Sequence, residues 1–325
     1  MQERQGIAVV GTVLVDNLYT ISAYPREGEL TQIRSVSRAL GGLVPNNGMG
    51  MKKINPALPV YAVGKIGADE AGQYVLDTLK QNGMDVSCIT VAEGEGTSFT
   101  DVMSVEGGQR TFFSYPGACA TFGVSDVPFD TLPCKMLHLG YFLLLDRIDG
   151  GDGLAILKEA KARGIVTSID LVSENSDRYT HILPCLPYVD NLILNELEAG
   201  KLCGLAPTVE NLPEMGRRLL ELGVRERVIL HMPEIGVCCS RRGVVSRPSY
   251  ALPKGYVKGK TGAGDAFASG ALVAIERGDT DKEILILAEA AAVASLSAAD
   301  ATSGIREEKL LPRCAEDLKE YGYVS

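Results

Sequence analysis

Six runs of apolar, often β-branched residues recur along the chain: IAVVG at 7–11, PVYAVGKIG at 59–67, KMLHLGYFLLL at 135–145, GIVTSIDL at 164–171, VDNLILN at 189–195 and RVILHM at 227–232. Runs that stay apolar instead of alternating with polar residues read as strands covered on both faces, the habit of parallel sheets. Between them, EAGQYVLDTLKQNG, GLAILKEAKARG, NLPEMGRRLLELG and EILILAEAAAVASLSAAD carry helical patterns. Several stop at a glycine, where the chain can leave the helix in a left-handed conformation. Strand, helix, strand repetition predicts an α/β fold: a mostly parallel sheet between two layers of helices.

Two regions break this rhythm. Residues 12–40 (TVLVDNLYTISAYPREGELTQIRSVSRAL) and 95–118 (EGTSFTDVMSVEGGQRTFFSYPGA) alternate apolar with polar residues and carry turn signals at Pro25 and Gly107-Gly108. That is the half-exposed, antiparallel pattern. It predicts one small sheet outside the main one, placed as a lid over a site; the alternative is an edge hairpin of the main sheet. A chain of 325 residues is long enough for two domains, but α/β domains of about 300 residues are common. With no repeat, low-complexity tract or linker, the expectation is a single domain over 1–325, its lid formed by about 12–40 and 95–118.

Composition narrows the function classes. Apolar residues make up 46% and charged residues 22%, with no long uncharged apolar run to span a bilayer. A soluble protein without a membrane partner is expected. The start, MQERQGIAVVG, lacks the charged head, long apolar run and small-residue cleavage site of a secretory signal, so the cytoplasm is the expected location. The net charge of −9 would repel nucleic acid on average. The eight cysteines contain no C-x-x-C pair and read as reduced, mostly buried small side chains. His138, His181 and His231 have no zinc-ligand neighbours at motif spacing.

The densest chemical signal is KGKTGAGDAFASG at 258–270. A P-loop would need a glycine at 254 to match Gly259-Lys260-Thr261, and 254 is lysine, with Gly255 one position late. The dinucleotide pattern G-x-G-x-x-G fails as well, because counting on from Gly262 and Gly264 reaches Phe267. What remains is Gly262, Ala263, Gly264 and Asp265 ahead of a helical stretch that ends near Gly278. Glycines before a helix let backbone N–H groups converge on a ligand, and the helix dipole adds positive charge there, so the tripeptide reads as an anion hole. Asp265 has two readings: an N-cap, or a base that accepts a hydroxyl proton beside the hole. A plain cap would not call for glycines upstream of it.

Together, TGAGDAFASG, GGLVPNNGMG, VGKIGADEAG and NELE resemble the signatures of the ribokinase-like (PfkB-type) family of carbohydrate and nucleoside kinases, over nearly the whole chain. The resemblance implies a ribokinase-like three-layer α/β sandwich with a mostly parallel central sheet and a small β lid. It also implies ATP- and Mg2+-dependent phosphoryl transfer to a hydroxyl group. By position, Asp265 would be the base and Gly262, Ala263 and Gly264 the hole, while Asp16, Gly42 and Asn46 would contact the substrate. Gly64, Gly67, Asp69 and Gly72 match a G-x-x-G-x-D-x-x-G run. Asn195 and Glu198 would act near the phosphates and magnesium, with Lys260, Thr261 and Gly236 near the nucleotide. Bland readings stand beside these: Asp16 and Asn46 as turn residues, Asp69 as a helix cap, Glu198 as a solvated first-turn acid.

Three departures from the family pattern bear on function. The usual Asp-Thr ahead of TGAGD, used by many members to bind potassium, is Gly259-Lys260, so a potassium ion is in doubt here. The Lys260 ammonium is a candidate replacement for that cation or a direct phosphate contact; the alternative is a solvent-facing lysine. The family's Thr-x-Gly-x-x-Gly reads His231-Met232-Pro233-Glu234-Ile235-Gly236, and Glu289 stands where many members place an asparagine near the adenine. The expected acceptor is an unphosphorylated sugar, with a nucleoside second and a sugar phosphate third, because Arg26, Arg34 and Arg110 are scattered. The different-class alternative is a sugar-binding regulator with a degenerate kinase fold. An oxidoreductase lacks its dinucleotide loop. A homodimer through the lid is expected, since exposed sheet edges need cover.

Overall fold

The apolar runs lie side by side in a computed structural model that describes residues 4–105, 108, 110–174 and 176–324. Thirteen strands are present among the described residues: β1 (Ile7–Val10), β2 (Leu14–Ile21), β3 (Ile33–Gly41), β4 (Val60–Gly67), β5 (Asp85–Ala92), β6 (Phe99–Val105), β7 (Arg110–Tyr115), β8 (Met136–Phe142), β9 (Val166–Leu171), β10 (Asn191–Asn195), β11 (Arg227–Met232), β12 (Ile235–Ser240) and β13 (Gly243–Pro248). Nine of them form one sheet in the order β13-β12-β11-β10-β9-β8-β1-β4-β5. Its pairings are parallel from β5 through to β11; β12 and β13 continue it antiparallel.

The helices are α1 (Leu43–Ile54), α2 (Glu70–Gln81), α3 (Gly153–Ala162), α4 (Glu196–Cys203), α5 (Leu212–Glu221), α6 (Ala263–Arg277), α7 (Asp281–Ser295) and the short α8 (Asp317–Glu320). Successive strand residues point to opposite faces, and the core divides accordingly. Ala8 and Val10 of β1 and Val228 and Leu230 of β11 join a cluster with residues of α3, α4 and α5. Ile7, Val9 and Ile229 join a second cluster with residues of α1, α2, α6 and α7. The expected three layers are therefore present. No described helix is long and apolar enough to cross a membrane. All eight cysteines are free thiols, buried except for Cys203 and Cys314.

The two alternating regions do form a separate sheet, in the order β3-β2-β6-β7. One expectation needs correction: the sheet is mixed. The hairpins β2-β3 and β6-β7 are antiparallel, but β2 pairs with β6 in parallel, with Val15 opposite Phe99 and Asp16 opposite Thr100. The intervening β4, α2 and β5 form a crossover long enough to return β6 beside β2 in the same direction. Gly107 of the turn signal lies outside the described residues.

Helix α1 and strands β5, β12 and β13 were not legible as periodic segments. Helix α1 carries Pro45 in its first turn, where a missing N–H costs nothing, and Gly48 and Gly50 in its body. Those glycines serve packing: a Cβ at 48 would fall 2.1 Å from Met84 Cε, and one at 50 would fall 2.6 Å from Ser269 Oγ on α6. Strands β5 and β13 are the sheet edges and mix exposed polar residues with apolar ones, which blurs their pattern.

Candidate active site

Helix α6 begins at the glycine-rich loop. Gly262 precedes it at φ 76, a left-handed conformation suited to glycine, and a Cβ there would sit 2.2 Å from Ala301 Cβ. Asp265 is the third residue of the helix and makes no capping bond. Its carboxylate instead accepts the Tyr141 hydroxyl proton, at 2.8 Å from Oδ1 and 2.9 Å from Oδ2, and an N–H from Asn46 Nδ2 at 3.0 Å from Oδ2. The cap reading is thereby set aside. Burial pushes the Asp265 carboxyl up to about 7, with the nearby Asp170 charge adding to the rise and the bonds from Tyr141 and Asn46 opposing it.

The anion hole differs in detail from expectation. The Ala263 amide donates to the Lys260 carbonyl at 3.3 Å. Among the described residues, the amides of Gly262, Gly264 and Asp265 have no protein acceptor, so the open N–H groups flank the occupied Ala263 amide and reach one residue further into the helix.

Asp265, Gly262 and Gly264 line a cavity of about 330 Å3 together with Tyr141, Asp170 and Ser173. Asn195 and Glu198 line it too. Asn195 caps α4, its Oδ1 accepting the Glu198 amide at 2.9 Å, while Glu198 Oε2 accepts the Asn195 amide at 3.1 Å. Ser173 Oγ donates to Glu198 Oε1 at 2.8 Å, and Asn195 Nδ2 donates to the same oxygen at 2.9 Å. Glu198 is 4% exposed, so it is no solvated acid, and burial pushes its carboxyl up to about 8.

A second cavity of about 440 Å3 shares Asn195, His231 and Gly264 with the first. It is walled by apolar side chains, including Tyr250, Leu252, Phe267, Val293 and Leu296. The His231 ring lies 4.6 Å from the Phe267 ring, and burial holds it down at about 4, so it is neutral near pH 7. Lys260 is exposed at the rim of this cleft and Thr261 is exposed beside it. Gly259 packs against the Ala298 and Ala299 carbonyls, where a Cβ would lie 2.9 and 2.8 Å away. At the cleft floor Glu289 accepts the Gly236 amide at 3.2 Å and pairs with Arg247 at 2.6 Å. Burial pushes Glu289 up to about 7.

Asp16 lies in β2, not in a turn, and packs against Gly41, whose Cβ would fall 2.4 Å from Asp16 Oδ2. Burial pushes its carboxyl up to about 6, and no hydrogen bond to it exists among the described residues. Gly42, at φ 92, starts α1; a Cβ there would sit 2.7 Å from the Thr12 carbonyl oxygen. Four residues on, α1 delivers Asn46 to Asp265. The G-x-x-G-x-D-x-x-G run works differently. Asp69 caps α2 through the Gly72 amide at 2.8 Å and also accepts from Thr97. Gly64, Gly67 and Gly72 pack where a side chain would collide with Val13, Glu95 and Gly67 respectively. Here the cap reading holds.

The sequence reading missed Tyr141, Asp170, His138 and Ser173. For Tyr141, Asp170 and Ser173 the signal was position, at or just past the carboxyl ends of parallel strands, where α/β sheets present ligands; His138 is a wholly buried residue inside β8 and carried no such signal. Tyr141 is on β8, Asp170 on β9, Asn195 on β10 and His231 on β11.

The residues fit a nucleoside triphosphate: an apolar slot joins a helix tip with open amides. No described cluster of three His, Cys, Asp or Glu side chains could hold a metal directly. An ion here would keep much of its water, as Mg2+ habitually does, against the Glu198–Asn195–Ser173 group.

The chain resembles known proteins in sequence and in fold. A family profile described as pfkB family carbohydrate kinase matches residues 4–308. A ribokinase of Arabidopsis thaliana is 26% identical over 289 residues, covering 88% of this chain and 74% of its own. A 5-dehydro-2-deoxygluconokinase of Clostridium perfringens is 26% identical over 282 residues, covering 84% and 81%. The structure of the Arabidopsis thaliana ribokinase complexed with ribose and ATP superposes with a TM-score of 0.79 at 22% identity, covering 98% of this chain and 99% of that one.

Proposed function

The chain belongs to the pfkB family of carbohydrate kinases, and from that premise, an ATP-dependent transfer of a phosphoryl group to a sugar hydroxyl, we propose how its own residues divide the work. Asp265 is the base. It takes the proton from the acceptor O–H as the new O–P bond forms and the bond from the γ-phosphorus to the bridging oxygen breaks, its electron pair leaving with ADP. The observation that carries this reading is the seat of Asp265, a carboxylate at a helix tip beside open amides, lining one cavity and next in the chain to Gly264, which lines both. The apolar cavity suits a purine, and the cavity lined by Asp265, Asn195 and Glu198 suits the phosphates where they meet the acceptor hydroxyl. Phosphoryl transfer asks for positioning and charge stabilisation and needs no nucleophilic side chain.

The open amides at 264 and 265 and the α6 dipole offset charge on the transferring group. Glu198 and Asn195 would hold a magnesium ion through water, and its charge would offset part of that on the phosphates. The exposed Lys260 at the cleft rim would supply the positive charge that potassium gives related enzymes. Asp16 and Asn46 are the acceptor-side contacts. Asp16 suits that part because its oxygens lack protein donors, and sugar hydroxyls would supply them.

The acceptor is an unphosphorylated sugar, because Arg34 and Arg110 sit level with Thr20 and Ile21 of the lid, away from Asp16 along β2, and do not converge beside it to meet a second phosphate. The β3-β2-β6-β7 sheet is the lid of a single domain and closes to exclude water. Its outer strands β3 and β7 are unpaired beyond the sheet and expose Val36, Phe112 and Phe113, which suits pairing with a second copy. Sedimentation as a monomer at micromolar concentration would remove the dimer. A cytoplasmic location accords with the free cysteines.

The test is single-turnover ADP release over a panel of free pentoses, hexoses and nucleosides. Sugar-dependent ADP with an equal yield of sugar phosphate supports the reading. Sugar binding without ADP at any pH between 6 and 9 refutes it in favour of a sugar-binding regulator.

A further inference from the structure

Tyr141 holds a backbone conformation that a bulky residue rarely adopts, φ 58. Such a geometry is strained and persists only where its surroundings enforce it. Here the enforcement is visible. The Tyr141 amide donates to Asp170 Oδ1 at 2.6 Å, and the preceding Gly140 leaves room for that carboxylate, since a Cβ there would fall 2.3 Å from the same oxygen. Asp170 Oδ2 in turn sits 3.3 Å from His138 Nε2, and His138 Nδ1 sits 3.1 Å from Ser168 Oγ, with His138 wholly buried. A polar chain thus runs from the core, Ser168–His138–Asp170, to the Tyr141 backbone. The Tyr141 hydroxyl ends it across both oxygens of Asp265.

We propose that Tyr141 is a positioning residue for the Asp265 base, clamped by Asp170, and that its hydroxyl fixes the plane of the carboxylate toward the acceptor. This rests on Asp265 being the base. Asn46 Nδ2 donates to Oδ2 at 3.0 Å and reaches the Tyr141 hydroxyl itself at 3.4 Å, so both donors gather at Oδ2 and a lone pair on Oδ1 is left for the acceptor O–H. The donated bond also favours the ionised carboxylate, countering the nearby Asp170 charge. The other titratable groups around the carboxylate are Glu198 on α4 and His231 on β11 across the cavity, and the exposed Lys260 on its own loop. Tyr141 and Asp170 are the ones set to act on Asp265 in opposite senses.

Four variants, assayed with saturating ATP and varied sugar, test this. Tyr141→Phe keeps the ring and removes the hydroxyl. Turnover is expected to fall about tenfold to a hundredfold, with the sugar KM nearly unchanged and the acidic limb of the kcat/KM profile moved to higher pH. Asp170→Asn keeps an oxygen for the Tyr141 amide and removes the charge, so the limb is expected to move to lower pH. Tyr141→Phe added to Asp265→Asn should cost nothing further, because the hydroxyl acts through that carboxylate. Wild-type turnover with an unmoved limb in Tyr141→Phe overturns the proposal, as does the same fold-loss in both backgrounds. Should Tyr141→Phe fail to fold, an unmoved or upward-moved limb in Asp170→Asn overturns it. Wild-type turnover in Asp265→Asn alone would instead overturn the assignment of the base.

Discussion

Replacing Asp265 with asparagine should strengthen the fold, and by an amount that depends on pH. The Asp265 carboxyl is held at about 7 against an ordinary 3.8, a gap of about three pH units. At 1.36 kcal/mol per unit this is about 4 kcal/mol of resistance to ionisation inside the folded protein. Solvent reaches part of the residue, so about 2 kcal/mol is the expected figure. The folded-state pKa is raised, so folding binds a proton between pH 4 and 7, and stability falls as pH rises through that window. Above pH 7 the ionised carboxylate carries the full penalty; below 4 both states are protonated and none remains. The neutral amide of Asp265→Asn escapes the penalty; its oxygen still accepts the Tyr141 hydroxyl, and its N–H groups are met once the Asn46 amide turns its own oxygen toward them. Its melting temperature should therefore exceed that of the wild type by about 2–4 °C at pH 8.5, shrink to less than half that margin at pH 5, and vanish near pH 4. Scanning calorimetry of both proteins across this range is the assay. A margin independent of pH, or a variant less stable at pH 8.5, would refute the view that the site holds its base against ionisation.

Further expectations concern the groups around the base. Asp16→Asn should raise the sugar KM about tenfold or more, the worth of a hydrogen bond to a charged acceptor, with turnover within a few-fold; steady-state kinetics with varied sugar would show it. Glu198→Gln should raise the Mg2+ concentration for half-maximal activity about 10–100-fold, as loss of an outer-shell partner does, read by metal titration with ATP saturating. Wild-type activity should be the same in potassium and sodium, while Lys260→Ala should lose about tenfold or more. Strong potassium activation of the wild type would count against Lys260 as the cation's replacement.

Much of the fold was legible because burial on two faces leaves a continuous apolar run, and six of the nine strands in the main sheet carry one. The edges were not. At β5 and β13 one side of the backbone has no partner strand, and the residues mix accordingly. Helix α1 escaped because its glycines answer to packing against Met84 and Ser269 more than to helix propensity. At the site, Asp265, Asn46, Asn195 and Glu198 were found through local motifs and do converge, while Asp69 and its glycines hold the scaffold. Tyr141 and Asp170 stand 124 and 95 positions away from Asp265 in the chain, on neighbouring strands. Their meeting with it depends on strand order, which no local pattern encodes.

The most direct measurement is the single-turnover rate of sugar phosphate formation by Asp265→Asn at pH 8, with both substrates bound and the sugar dissociation constant measured alongside. The account predicts transfer slower by about two to four orders of magnitude, the worth of a general base, with sugar affinity unchanged. A rate within a few-fold of the wild type would contradict it.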